Sequence, residues 1–314
     1  MRYAILTDIH ANSHALQAVA DDVRHQEGEI RYWFLGDLIG YGPDPIGCLR
    51  WLKYTARIGT RWVPGNHDEW LVNPSAVTAD AKESLEKHRD VLTDPNHSEW
   101  YDWFAGQVTQ TMEQRSLVIE NSDDMTIAFT HASIVPSLRR ATYLYPWEKL
   151  KLEAEFRAIQ QTLTDETATK VLFHGHTHFP IWAVWENERV KLRPIAFNRP
   201  LPLGKGTFII NPGSVGQPRD GDSRAAYLLF DPEAKTVEFR RVVYAIHEAT
   251  DALRSQGYSP RLAYRLETGD GFELVQSYRR QAYRRPYDLE PIEDFQPGLL
   301  ERYEMYQTNT LKEE

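Results

Sequence analysis

Hydrophobic positions in this chain fall into short runs separated at first by amphipathic stretches and later by turns. Tyr3–Thr7 is an apolar run bounded by polar residues, which predicts a buried strand. Asn12 or Ser13 can cap a helix after it, in which Ala15, Leu16, Val19 and Val23 share one face. Tyr32–Leu35 predicts a second strand. Pro45–Tyr54 predicts a second helix with Ile46, Leu49 and Leu52 inward, and Arg61–Val63 a third strand. Strands alternating with helices predict a mostly parallel sheet, and such sheets bind ligands beyond the carboxyl ends of their strands.

Residues 73–120 read as helical and irregular, with Ala81–Leu92 an amphipathic helix and Trp100, Trp103 and Phe104 an aromatic cluster read as core. Strand patterning returns at Met125–Thr130 and Val171–Phe173. From Ile181 it becomes a run of strands: Ile181–Trp185, Arg189–Arg193, Thr207–Ile210, Ala225–Phe230 and Val237–Tyr244, with Gly, Pro, Asn and Asp in the turns. A second sheet packed on the first is expected from this late run. Near Ala245 the composition shifts to Arg, Glu and Tyr, which divides the chain into a domain at 1–244 and a partly helical extension at 245–314. Ser277–Arg285 is basic and aromatic, but Glu and Asp flank it, so it reads as a solvated face or a partner contact.

The 314 residues include 41% hydrophobic positions, which suits one large globular domain with an appendage. A formal charge of −9 argues against general nucleic-acid binding, since the chain lacks the positive field that releases counterions. One cysteine, Cys48, excludes an intrachain disulfide and fits a reducing compartment. The apolar run after Met1-Arg2 is too short for a secretory signal, and no run reaches the ~20 residues of a membrane helix. A cytoplasmic protein is expected.

Chemistry concentrates at strand ends, in Asp8-Ile9-His10, Gly36-Asp37, Gly65-Asn66-His67-Asp68 and Gly175-His176-Thr177-His178. Asp8 and His10, two apart, can face one cation. Asp37 has two oxygens and can hold two. Asn66 offers an amide oxygen, and His131, His176 and His178 offer imidazoles. This mixture suits Mn²⁺, Fe, Zn²⁺ or Ni²⁺ better than Ca²⁺. His174 lies within a buried strand and reads as core or as support for the site. His14, His25, His88, His97 and His247 have no motif context and read as surface.

With these motifs in this order, the chain resembles the calcineurin-like metallophosphoesterases, in their small prokaryotic branch, from Met1 to about Tyr244. The resemblance implies a four-layer αββα sandwich of two mixed sheets flanked by helices. It implies two divalent transition-metal ions, with manganese first among them. One ion takes Asp8, His10, Asp37 and His178; the other takes Asp37, Asn66, His131 and His176. Asp37 and a water bridge them, and the water, made acidic, attacks phosphorus in line. His67 resembles the general acid that protonates the leaving group, with Asp68 holding its ring in the productive tautomer.

The loop Asn211-Pro212-Gly213-Ser214 and the following Gln217-Pro218-Arg219 resemble a segment that lies beside the metals in the small prokaryotic branch. Arg219, Arg139 and Arg140 are candidate phosphate contacts. Protein phosphatases and symmetrical diadenosine tetraphosphatases carry Asp-Arg-Gly after the second motif. Here the stretch Asp37–Asp44 has no arginine. A small-molecule phosphoester is therefore expected, with diesters or nucleotide polyphosphates ahead of monoesters or phosphoproteins. The rival class is a non-enzymatic scaffold like the retromer subunit of this fold, which lacks a working catalytic histidine; His67 favours the enzyme.

Overall fold

The computed structural model describes residues 1–74, 77, 79–114, 117–122, 124–138 and 142–269. The expected basic stretch at 277–285 lies outside them. Among the described residues are twelve strands and eight helices. The first sheet contains β1 (Arg2–Leu6), β2 (Ile30–Phe34), β3 (Arg61–Trp62), β9 (Leu201–Pro202), β11 (Ala225–Asp231) and β12 (Thr236–Val242), in the order β3-β2-β1-β11-β12-β9. The second contains β4 (Leu117–Asn121), β5 (Met125–Thr130), β6 (Thr169–Phe173), β7 (Ile181–Glu186), β8 (Arg189–Leu192) and β10 (Gly206–Asn211), in the order β4-β5-β6-β10-β7-β8.

Both sheets are mixed. In the first, β1, β2 and β3 run parallel, and β11 pairs with β1 antiparallel, Ile5 opposite Leu228. In the second, β5, β6 and β10 run parallel, and β4 and β7 join them antiparallel. The late strands therefore do not form a second sheet by themselves. β11 and β12 complete the first sheet, while β7, β8 and β10 complete a second sheet begun by β4, β5 and β6. Periodicity of two locates a strand but carries no information about its neighbour.

The alternation of side chains explains the layers. Ile5, Trp33, Leu228 and Phe230 point from the first sheet toward Phe129, Phe173, Phe208 and Ile210 of the second, forming a core between the sheets. Ala4, Leu6 and Phe34 point the other way, onto α1 (Ser13–Arg24), α2 (Pro45–Arg57), α4 (Ala79–Thr93) and α5 (Ser98–Gln114). Ala128, Leu172 and Ile209 of the second sheet pack on α6 (Lys149–Thr162). The result is the four-layer αββα sandwich.

Local signals set the helix starts. Asn12 Oδ1 accepts from Ala15 N at 3.1 Å, and Asp44 Oδ1 from Gly47 N at 2.8 Å with Pro45 in the first turn. Phe104 is fully buried and stacks on Trp62, so the aromatic cluster on α5 is core there, with Trp100 and Trp103 half-buried beside it. Two C-terminal helices, α7 (Ile246–Ser255) and α8 (Pro260–Thr268), place Ala249, Leu253, Leu262 and Leu266 in the same core as α1 and α2. No helix among the described residues is long and apolar enough to cross a membrane.

Candidate metal centre

The carboxyl ends of the six parallel strands converge on one patch between the sheets. β1 leads into Asp8 and His10, β2 into Asp37, β3 into α3 (Asn66–Val72), β5 into His131, β6 into His176 and His178, and β10 ends at Asn211. All seven expected ligands are at most 4% exposed. Asp8, His10, Asp37, His176 and His178 each have positive φ, between 49° and 65°. For residues with a side chain this backbone region is disfavoured, and such strain is retained where surrounding structure enforces it. Gly175 allows a close approach: a Cβ there would run into Thr7 Oγ1.

Three histidines are oriented in the same way. Nδ1 of His10, His131 and His178 lies 2.9, 2.8 and 2.6 Å from the carbonyl oxygens of Ile39, Leu35 and Gln217. A carbonyl only accepts, so each Nδ1 carries the hydrogen and Nε2 faces the site. Burial first, and then His178 beside His10 and Arg219 beside His178, hold both imidazoles below their usual range. Their Nε2 lone pairs nevertheless face each other at 3.1 Å. Two acceptors at that distance repel unless a cation lies between them.

The carboxylates show the same demand for positive charge. Asp8 Oδ2 accepts from Thr7 Oγ1 at 2.7 Å and from His176 N at 3.0 Å. Its Oδ1 is buried without a hydrogen-bond partner among the described residues and lies 3.2 Å from His178 Nε2. Burial raises the Asp8 carboxyl, but the imidazoles of His178 and His131 outweigh it and bring it down to about 2. Asp37 Oδ2 lies 3.7 Å from His10 Nε2 and 3.4 Å from His131 Nε2, between the two halves of the patch. Its Oδ1 accepts from His67 N at 2.9 Å.

His131 Nε2 is 3.1 Å from Asn66 Oδ1. Burial opposes charge on His131, yet Asp37 and Asp8 push it up to about 10, so this corner draws a positive charge. His176 Nε2 is buried without a partner among the described residues, and Tyr143 stacks on its ring at 4.1 Å. Donor atoms of Asp8, His10 and His178 lie within 4.8 Å of one another, as do those of Asp37, His131 and His176. This set of imidazole nitrogens and carboxylate oxygens, with its orphaned acceptors, fits divalent transition metals.

Two expectations need correction. Asp68 does not hold the His67 ring. Its carboxylate accepts from the backbone amides of Asp37, Leu38 and Gly65, each at 2.9 Å, and of Ile39 at 3.4 Å. Asp68 stands third in α3, where a carboxylate reaches back to the amide of the capping residue Gly65. The His67 ring is held instead by packing, 4.5 Å from Tyr41, 4.8 Å from His10 and 5.0 Å from Trp70. The second correction is His88, which is fully buried and bonds the backbone beside the site.

The loop after β10 lies beside the metal ligands as expected. Ser214 Oγ donates to the Asp8 carbonyl at 2.8 Å, and Asn211 Nδ2 to the Gly175 carbonyl at 2.7 Å. Arg219 packs 5.9 Å from the Tyr41 ring centroid, donates from Nη2 to Gln217 Oε1 at 3.1 Å, and has a buried Nε without a partner among the described residues. Arg139 and Arg140 lie outside the described residues. His174 is buried under the site, its Nδ1 3.1 Å from the Gly175 carbonyl oxygen. Sequence reading missed Glu155 of α6, which accepts from Ser133 Oγ and Ile134 N and so braces the loop after His131. It also missed Arg265 of α8, buried 5.9 Å from the Tyr41 ring centroid. Neither residue has a spacing that reveals such a contact.

Comparison with known proteins agrees with this geometry. The chain is 27% identical over 274 residues to an uncharacterized protein of Methanocaldococcus jannaschii, covering 85% of this chain and 97% of that one. A symmetrical bis(5'-nucleosyl)-tetraphosphatase of Pectobacterium carotovorum is 29% identical over 134 residues, which is 42% of this chain and only 43% of that protein. The crystal structure of a metallophosphoesterase from Sphaerobacter thermophilus superposes with a TM-score of 0.65 at 28% identity, covering 86% of this chain and 99% of that one. The family model of calcineurin-like phosphoesterases matches residues 1–180, more than half of the chain. On that match the chain belongs to the calcineurin-like phosphoesterase family and is a phosphoric ester hydrolase that uses divalent metal ions.

Proposed function

We propose that the chain is a dinuclear metallophosphoesterase acting on a small-molecule phosphoester, either a phosphodiester or a nucleotide polyphosphate. One ion would be held by Asp8, His10, Asp37 and His178, and the other by Asp37, Asn66, His131 and His176. The observation that carries this reading is the pair of imidazoles, His10 and His178, each with Nδ1 on a backbone carbonyl and with their Nε2 atoms facing each other at 3.1 Å. The position of Asp37 Oδ2 between His10 and His131 supports its role as the bridge. Manganese is the metal of first choice, and a cytoplasmic setting suits the lone buried Cys48. Residues 1–244 are taken as the phosphoesterase domain and 245–314 as its extension.

Two divalent ions supply positive charge to the phosphoryl oxygens and acidity to water near neutral pH. The chain's own groups do the rest. His67, packed between Tyr41 and Trp70, stands beside His10 and Asp37 and delivers a proton to the departing oxygen. Burial holds His67 down to about 4 in the chain alone, against the pull of Asp37. Asp68 holds the Asp37 loop by its backbone amides. Arg219, with its unpartnered Nε, binds a phosphate oxygen.

The absence of arginine in Asp37–Asp44 supports a substrate other than a phosphoprotein. The similarity to part of a symmetrical bis(5'-nucleosyl)-tetraphosphatase supports a nucleotide polyphosphate, although that class carries the arginine missing here. Tyr143 and Tyr145, stacked 5.4 Å apart next to His176, offer aromatic surface for a base.

The test is turnover of a panel containing bis(p-nitrophenyl) phosphate, dinucleoside polyphosphates, monoesters and phosphopeptides, with added Mn²⁺. Hydrolysis of diesters or polyphosphates ahead of phosphopeptides is expected, and inactivity with every transition metal would refute the proposal. His67→Ala should keep both metals and lose about 10²–10⁴-fold on substrates with poor leaving groups. Loss of metal from that variant would count against the assigned role.

A further inference from the structure

One fully buried imidazole has no part in the reaction as described. His88 lies on α4, outside every motif. Its Nδ1 accepts from Gly40 N at 3.2 Å, and its Nε2 donates to the Gly42 carbonyl at 2.7 Å. An acceptor on one nitrogen and a donor on the other fix a neutral ring in a single tautomer. One side chain therefore holds both ends of the turn Gly40-Tyr41-Gly42.

That turn needs holding. Gly40 has φ of 89° and Tyr41 has φ of 63°, the latter disfavoured for a residue with a side chain. Gly42 N donates to the His10 carbonyl at 2.9 Å, which ties the turn to the metal patch. The turn also forms the wall around His67. A methyl on Gly40 would run into His67 Nδ1, and the Tyr41 ring packs 4.5 Å from the His67 ring and 4.8 Å from His10. His67 Nδ1 has no hydrogen-bond partner among the described residues, so contact with this wall and with Trp70 sets its position.

We propose that His88 is a positioning residue: by clamping Gly40 and Gly42 it fixes the wall that aims the His67 imidazole at the leaving group. This rests on the reading of His67 as the proton donor. His88 touches no substrate. A misplaced acid costs most where the leaving group needs the proton, and little where the leaving group departs unaided.

The experiment compares two diesters, bis(p-nitrophenyl) phosphate with its good leaving group and diphenyl phosphate with a poor one, on the manganese-loaded protein. His88→Leu should lose roughly 10–100-fold in kcat on diphenyl phosphate and less than about threefold on bis(p-nitrophenyl) phosphate, with KM and metal content unchanged. His88→Gln, whose amide can accept from one glycine and donate to the other, should restore most of the loss. Should His88→Leu fail to fold, His88→Asn serves: it stays polar but is too short to span both bonds, and the same selective loss is expected. Equal loss on both diesters, loss of metal, or wild-type kcat on diphenyl phosphate would each overturn the proposal. His67→Ala on the same pair separates the two ideas. If His67→Ala shows no selectivity, the proton-donor reading falls. If it does and the His88 variants do not, only the role of His88 falls.

Discussion

At the scale of single residues, the candidate site gathers buried carboxylate and imidazole atoms within a few ångströms of one another. Asp37 shows this most directly. Its Oδ1 accepts from His67 N, and its Oδ2 lies within 4 Å of both His10 and His131, in the two halves of the patch. Asp37→Ala is therefore expected to lower occupancy of both metals together, measured by metal analysis after dialysis. Full retention of two ions would refute the ligand map. The same scale explains why this cluster of buried side chains could be read from the chain. Asp8, His10, Asp37, His176 and His178 sit at strand ends with short, fixed spacings. The positioning groups His88, Glu155 and Arg265 come from helices remote in sequence, and nothing about an isolated His or Glu announces what its ring or carboxylate will meet.

At the scale of elements, strand-to-helix turns place the chemistry and Asp68 holds them. Four backbone amides, three from the Asp37 loop and one from the start of α3, converge on one buried carboxylate. Burial and the charge of Asp37 push this carboxyl up, while the amides stabilise its ionised form. Replacing it leaves buried donors unpaired. Asp68→Ala should destabilise the fold by about 2–4 kcal/mol in urea unfolding. It should also slow good and poor leaving groups alike. Loss confined to poor leaving groups would restore the idea that Asp68 serves His67. Strands and helices were legible where the pattern was long: Met125–Thr130 matches β5 residue for residue, and Asn12 caps α1. The helix at Lys149–Thr162 and the strands β4 and β9 went unread, because β9 is only two residues long and β4 and α6 expose much of their length.

At the scale of the whole molecule, the first sheet is closed by the late strands and its outer face by the C-terminal helices. Leu253 of α7 is 1% exposed and shares a core with Leu16 of α1 and Tyr41. Gly221 N donates to the Gly269 carbonyl at 2.9 Å, tying the end of α8 to the loop that carries Arg219. Leu253→Ala should cost about 2–5 kcal/mol of stability, measured as a lower urea midpoint with unchanged slope. A change below about 0.5 kcal/mol would mean that α7 is not part of the core.

The amino-acid sequence determined the strand-end motifs, the order of most elements and the kind of chemistry. Hydrophobic period, capping residues and ligand spacing are local properties, complete within a few neighbouring positions. Which sheet each late strand joins was decided only in three dimensions, since β11 pairs with β1 across more than two hundred residues. The same holds for the backbone role of Asp68 and for the clamp that His88 closes on Gly40 and Gly42. Those contacts depend on which surfaces pack together, and no local pattern encodes the partner.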